Sequence, residues 1–178
     1  MKKYIVFDTE YTSWEGSLEN NWSRENEFTE LVQISAIKVT NFNINKFNIY
    51  IKPIINPILS DYFINLTGIT NNMLINAVDF KTAINKFKEF CEDYPLYSYG
   101  NDLDIIEENY KLNNLIIDSN WTKNFLDFTD KLTPYNIDKT LYTSGTIYKA
   151  FNININNHNI HNAEHDTYSL YLVSKIIF

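Results

Sequence analysis

Four apolar residues near the start, Tyr4-Ile5-Val6-Phe7, run directly into Asp8-Thr9-Glu10, and this junction limits the possible folds more than any other segment. A short, β-prone run without polar alternation reads as a buried strand at the centre of a sheet. Charged residues rarely close such a strand without a use. Side chains alternate along a strand, so Asp8 and Glu10 share one face and Thr9 takes the other. Two carboxylates on one face form half of a site for a hard cation such as Mg²⁺ or Mn²⁺. The plain alternative is a chance D-x-E in a chain with 22 acidic residues.

The rest of the chain supplies partners for that strand. Leu31–Val39 and Phe47–Ile51 read as two more strands, close enough for an antiparallel, hairpin-like connection. Residues 12–28 read as a polar loop, and the acid-rich segment Glu15–Glu30 as solvated. After Pro53 and Pro57, the segments Asn71–Ala77 and Phe80–Tyr94 read as helical. In the second, Ala83, Ile84, Phe87, Phe90 and Cys91 fall at helical spacing. Leu96–Tyr99 reads as a fourth strand ended by Gly100, and Asp104–Tyr110 as a helix. Residues 120–151 hold further helical material. Asn162–Ile177 reads as a closing helix with an apolar stripe of Ala163, Leu170, Val173 and Ile177. Strands first, then alternating helix and strand, indicate an α/β fold with a mixed sheet.

At 178 residues the expectation is a single domain spanning 1–178, large enough for a true core. The lone Cys91 allows no internal disulfide, which fits a reducing compartment. The first residues lack a signal-peptide pattern, and no run reaches the ~18–20 apolar residues of a membrane span. A cytoplasmic protein without membrane association is expected. The net charge of −7 argues against a nucleic-acid partner, since phosphate binders usually present a basic surface. That argument weakens if carboxylates hold cations, because two divalent ions would bring the charge to about −3 and supply a favourable local field.

Two further segments carry chemistry. In Tyr97-Ser98-Tyr99-Gly100-Asn101-Asp102-Leu103-Asp104 a strand ends, a glycine allows a turn, and acids enter a helix. Ligand sites of α/β sheets favour such strand ends; simple helix capping by Asp102 is the alternative. In His161-Asn162-Ala163-Glu164-His165-Asp166 a histidine precedes an acid by five residues at a helix start. Histidine titrates near neutrality and suits proton abstraction from water. The same segment also spells H-x-x-E-H, and with His158 would give a three-histidine zinc set of the peptidase kind.

Taken in order, these motifs resemble the DEDD family of 3'–5' exonucleases, in the subgroup that uses histidine. Phe7-Asp8-Thr9-Glu10 is similar to the family's strand-borne D-x-E. Glu30-Leu31-Val32-Gln33-Ile34-Ser35-Ala36 is similar to its E-x-x-x-I-G-A strand, with Ser35 in place of glycine. His161-x-Ala163-x-x-Asp166 matches H-x-A-x-x-D, the most specific of the motifs. Ile51-Lys52-Pro53, Leu59-Ser60-Asp61 and Leu66-Thr67-Gly68-Ile69-Thr70 resemble the exoribonuclease branch that trims histone mRNA ends and small RNAs, and its bacterial relatives.

The resemblance implies a ribonuclease H-like fold, a five-stranded mixed sheet flanked by helices. It implies two divalent cations, Mg²⁺ or Mn²⁺, held by Asp8, Glu10 and Asp166 with help from Asp102, and His161 as general base. Asp102 is chosen over Asp104 because Leu103 and Ile106 supply the family's apolar positions after the acid. Thr9, Tyr11, Trp14, Leu66 and Thr67 become candidate substrate contacts; loop anchoring is the alternative for Tyr11 and Trp14. The implied partner is single-stranded or 3'-tailed nucleic acid, RNA favoured over DNA, cut to nucleoside 5'-monophosphates. A DNA-directed proofreading or repair exonuclease, and a nucleic-acid-binding module without catalysis, are the competing readings.

Overall fold

The computed structural model describes residues 3–41, 43–155 and 161–178. The opening run becomes β1 (Lys3–Tyr11), which carries both acids and ends one residue beyond them. It lies at the middle of a five-stranded sheet formed with β2 (Leu31–Thr40), β3 (Asn43–Tyr50), β4 (Leu96–Ser98) and β5 (Phe125–Asp127). The order is β3-β2-β1-β4-β5. β2 runs antiparallel to both β1 and β3, whereas β4 and β5 run parallel to β1. This is the mixed five-stranded sheet that the resemblance implied.

Alternation along β1 builds two cores. Ile5 and Phe7 face α3 (Phe80–Cys91) and α4 (Asp102–Leu112), where Phe7 meets Phe87 at 5.6 Å between ring centroids. Tyr4 and Val6 face α6 (Ala163–Ile177), against Leu170 and Val173. Each fully buried large apolar side chain contributes about 1.5–3 kcal/mol. A third cluster packs Val32 under α2 (Asp61–Thr67), with Leu59, Phe63 and Ile69. No helix among the described residues is long and apolar enough to cross a membrane.

Several elements depart from the sequence reading. β3 starts at Asn43, four residues early, because an edge strand needs no apolar run: its first four residues are exposed. The three-residue β5 lies inside the stretch read as helical, which instead forms short 3₁₀ turns and the single turn α5 (Ser119–Thr122). α2 went unread, although Ser60 caps it by accepting from the Phe63 N–H at 3.0 Å. Asn71–Leu74 is a 3₁₀ turn, and α4 starts at Asp102 instead of Asp104. The segment Glu15–Glu30 contains a single helical turn, α1 (Ser17–Asn20), and its end is not solvated. Glu30 is buried, and its carboxylate accepts the backbone N–H groups of Ile54, Ile55 and Asn56 at 2.6–2.8 Å.

Candidate active site

The pairing of β1 with β2 determines what can reach the two acids. Asp8 lies opposite Ser35 and Glu10 opposite Gln33. Helix α6 is fastened to those same partners: the Ala163 N–H donates to the Gln33 side chain at 3.2 Å, and the Thr167 hydroxyl donates to the Ser35 carbonyl at 3.1 Å. Asp166, between these two anchors, is thereby lowered onto Asp8 and Glu10. One oxygen from each of the three carboxylates falls within 4.8 Å of the others. A register irregularity between Glu10 and Tyr11 ends the regular pairing at this point. Bulges of that kind often re-aim side chains beside functional sites.

Asp102 approaches from the other side of β1. Thr9, pointing away from its two acidic neighbours, donates its hydroxyl to Asp102 at 2.6 Å. The threonine expected to contact substrate therefore spends its side chain on holding the fourth acid, though it still borders the cleft. Asp102 is buried in the cleft wall, while Asp104 is exposed and lies outside the lining. His161, with a left-handed φ of 66°, immediately precedes the Asn162 N-cap of α6, and it too borders the cleft. Asn162 accepts from the Glu164 N–H at 3.1 Å.

The cleft has a volume of about 410 Å³ and an acidic floor with aromatic walls. Burial, then the neighbouring charges of Asp102, Asp166 and Glu10, hold the Asp8 carboxyl well above its usual range. Burial, with Asp166 and Asp102, does the same to Glu10. Burial pushes Asp102 up to about 6 against the opposing hydrogen bond from Thr9. Burial pushes Asp166 up to about 7, opposed by the Ser144 hydroxyl and the His161 main chain. Desolvation against the cleft, and then His165, hold the His161 imidazole below its ordinary range, which keeps it a neutral base. Burial pushes Tyr11 up to about 12, so its phenol stays a donor.

This arrangement fits a hard divalent cation. The donors are all carboxylate oxygens within reach of one another, and their mutual repulsion is relieved by positive charge. Asp166 is 3% exposed, yet its Oδ1 has no hydrogen-bond partner. A buried unpaired carboxylate oxygen is costly unless a ligand completes it.

Of the proposed substrate contacts, Tyr11, Trp14 and Leu66 border the cleft. Thr67 does not. Its hydroxyl donates to the Phe63 carbonyl at 2.9 Å and accepts from the Ile69 N–H at 3.0 Å, so it closes the end of α2. Several residues were missed, among them Tyr62, Ser144 and Gly145. Tyr62 borders the cleft one helical turn before Leu66, a spacing that could have revealed it. Ser144 donates to Asp166 Oδ2 at 3.1 Å and also bonds to Asp8. A side chain at Gly145 would collide with the Asp166 carboxyl. Neither of the last two carries a sequence signal, since they lie in an irregular stretch.

The zinc-peptidase reading fails on geometry. His161 lies before the helix, His165 is buried with Nε2 3.2 Å from the Gly145 carbonyl, and Glu164 is exposed. His158 falls outside the described residues. Among the described residues, the one candidate metal group is Asp8, Glu10 and Asp166.

The chain is similar to known nucleases and polymerases. A family model described as an exonuclease (RNase T) matches residues 5–173. The chain is 30% identical over 162 residues to the PolC-type DNA polymerase III of Lactococcus lactis, a match covering 89% of this chain and 9% of that protein. It is 28% identical over 179 residues to the PolC-type polymerase of Ureaplasma parvum, covering 98% and 11%. The chain thus spans about a tenth of the length of these curated relatives. Among solved structures, the nuclease domain of 3'hExo, a DEDDh family member bound to rAMP, aligns with a TM-score of 0.77 at 18% identity, covering 97% of this chain and 89% of that one. Exonuclease I of E. coli in complex with a dA16 oligonucleotide aligns with a TM-score of 0.64 at 16% identity, covering 99% and 41%. By its match to the family model over residues 5–173, this chain belongs to the RNase T exonuclease family.

Proposed function

We propose that the chain is a divalent-cation-dependent 3'–5' exonuclease that removes single nucleotides from the 3' end of single-stranded nucleic acid. The observation that carries this reading is the gathering of Asp8, Glu10 and Asp166 around one point, with a buried Asp166 oxygen left unpartnered. Those three residues would hold a divalent cation, and Asp102 would support the site from behind Thr9. When bound, such ions stabilise the charge that develops on the attacking and leaving oxygens of a phosphoryl displacement.

The chain's own residues then have separate tasks. The neutral His161 imidazole takes a proton from the attacking water. The resulting hydroxide forms a bond to the terminal phosphorus, and the bond from phosphorus to the 3' oxygen breaks. That oxygen takes a proton from solvent, leaving a shortened strand with a free 3' hydroxyl and a nucleoside 5'-monophosphate. Tyr11 and Trp14 stack on or frame the terminal base, a contact worth ~1–3 kcal/mol per base. Leu66 and Tyr62 border the same cleft.

RNA is the first substrate we assign, on the resemblance of Leu66–Thr70 to the exoribonuclease branch and the alignment with the nuclease domain of 3'hExo. DNA is the second, favoured by the 28–30% identity to PolC-type DNA polymerases. Digestion of 5'-labelled RNA and DNA side by side, with Mg²⁺ or Mn²⁺, tests both. The expected result is a ladder shrinking from the 3' end that is absent in Asp8→Ala. Internal cuts, or an unaffected Asp8→Ala ladder, would refute the assignment.

A further inference from the structure

The chain has 15 basic residues, of which Arg24 is the single arginine, and none of them lines the cleft among the described residues. Several of them are engaged elsewhere. Lys3 and Lys38 sit at the opposite end of the sheet, Lys38 in an ion pair with Glu92 at 2.9 Å and both above the Tyr94 ring. Lys38 pairs with Ile5, five residues from Glu10 along β1, and Lys3 is seven residues away. At ~3.3 Å per residue these charges stand about 16–23 Å from the acids, well beyond the ~8–10 Å over which exposed charges act in physiological salt. Lys88 and Lys131 likewise lie over the Trp121 and Tyr97 rings. Arg24 folds back on its own loop, donating to the Glu15 carbonyl at 2.7 Å.

What the cleft adds to its acids is a set of aromatic and apolar side chains. Leu18, Tyr62 and Leu66 are exposed and border the cleft together with Tyr11 and Trp14. Its volume of about 410 Å³ lies near the lower end of the ~300–1,000 Å³ that houses a single small ligand. Such a site recognises the face of a terminal base and the scissile phosphate. Among the described residues no lysine or arginine lines it to follow a phosphate backbone further.

We propose that this chain grips only the last one or two nucleotides, and so degrades very short oligonucleotides as efficiently as long strands. The inference rests on the exonuclease reading and names its substrate class: single strands down to two or three nucleotides, released after each cut. A groove that tracked a backbone would lose affinity with salt at a slope of about −0.7 for each phosphate neutralised on a single strand. Here the slope should be close to that of one phosphate at most.

The test measures kcat/KM on unstructured homopolymers of 2, 3, 6, 12 and 24 nucleotides at fixed Mn²⁺, each from 50 to 300 mM KCl. The expected values differ by less than about threefold from 3 to 24 nucleotides, with a logarithmic salt slope no steeper than about −1. Leu18→Lys should then create a dependence on both length and salt, by placing one charge on the rim. A wild-type efficiency rising tenfold or more with length, or a slope of −3 or steeper, would overturn the short-grip proposal while leaving the exonuclease reading intact. Failure to digest any length would remove both.

Discussion

Glu30 and Asp166 are equally buried carboxylates, each 3% exposed, and each belongs to a family motif. Their surroundings differ. Glu30 meets three backbone N–H groups of the 54–56 turn, which account for both of its oxygens. Asp166 is met by the Ser144 hydroxyl on Oδ2 and by the His161 main chain, and its Oδ1 has no hydrogen-bond partner among the described residues. Around Glu30 there are donors; around Asp166 there are Asp8 and Glu10. A carboxylate kept for structure brings its hydrogen bonds with it. One kept for chemistry leaves an oxygen for something the chain does not supply.

Replacing each acid by its amide separates these roles most sharply at Asp166. Asp166→Asn keeps the shape and removes the charge that would hold a cation. Loss of several kcal/mol of transition-state stabilisation should lower the rate on the order of 10³-fold in a 3'-end digestion assay. The same change removes one of several mutually repelling charges, so the metal-free protein should melt higher than wild type at pH 7.5. Lowered stability with retained activity would contradict the division between the two acids.

At Glu30 the expected loss is in stability. Glu30→Ala removes the acceptor of three backbone N–H groups, those of Ile54, Ile55 and Asn56, at about 1–3 kcal/mol for each group left uncompensated. Solvent entering the surface turn offsets part of that, and about 3 kcal/mol remains. On a chain of this length it should lower the melting midpoint by about 6–12 °C. Activity below the transition should stay within a few-fold of wild type. A rate loss as large as that of Asp166→Asn would mean that Glu30 also serves the cleft.

The difference between the two acids could not be seen in the sequence, although much else could. β1 and its acids were legible because an apolar run closed by charge has few explanations. α6 and its position in the chain were legible from the stripe through Leu170 and Val173 and from the H-x-A-x-x-D spacing. Asp102 was separable from Asp104 by the apolar residues that follow it. Glu30 looked like one more acid of a polar loop, because its three donors come from a turn 24 residues downstream. Thr67 looked like a cleft residue because nothing in Leu-Thr-Gly-Ile-Thr tells which way a threonine side chain turns. Ser144 and Gly145 were invisible for the same reason: their partner, Asp166, is about 20 residues away in the chain and only the fold brings it near.

The smallest expected effect follows from protonation. Asp8, Glu10, Asp102 and Asp166 all hold protons more tightly folded than unfolded, with Asp102 near 6 and Asp166 near 7. Unfolded carboxyls release theirs near ~4. Over the window between those values the folded chain carries more protons, so metal-free stability must fall as pH rises. The cleft is open at its mouth, and solvent screening reduces the repulsion. A fall of about 1–2 kcal/mol from pH 5.5 to 7.5 is expected, read as a melting midpoint lower by roughly 3–6 °C at the higher pH. Added Mg²⁺ should close that gap by binding the charged form, and Asp166→Asn should narrow it without metal. Glu30, already supplied with donors, should not respond to Mg²⁺, so Glu30→Ala should leave the size of the gap unchanged. A gap that persists with Mg²⁺ in wild type would show that the repulsion in the cleft is not what the cation relieves.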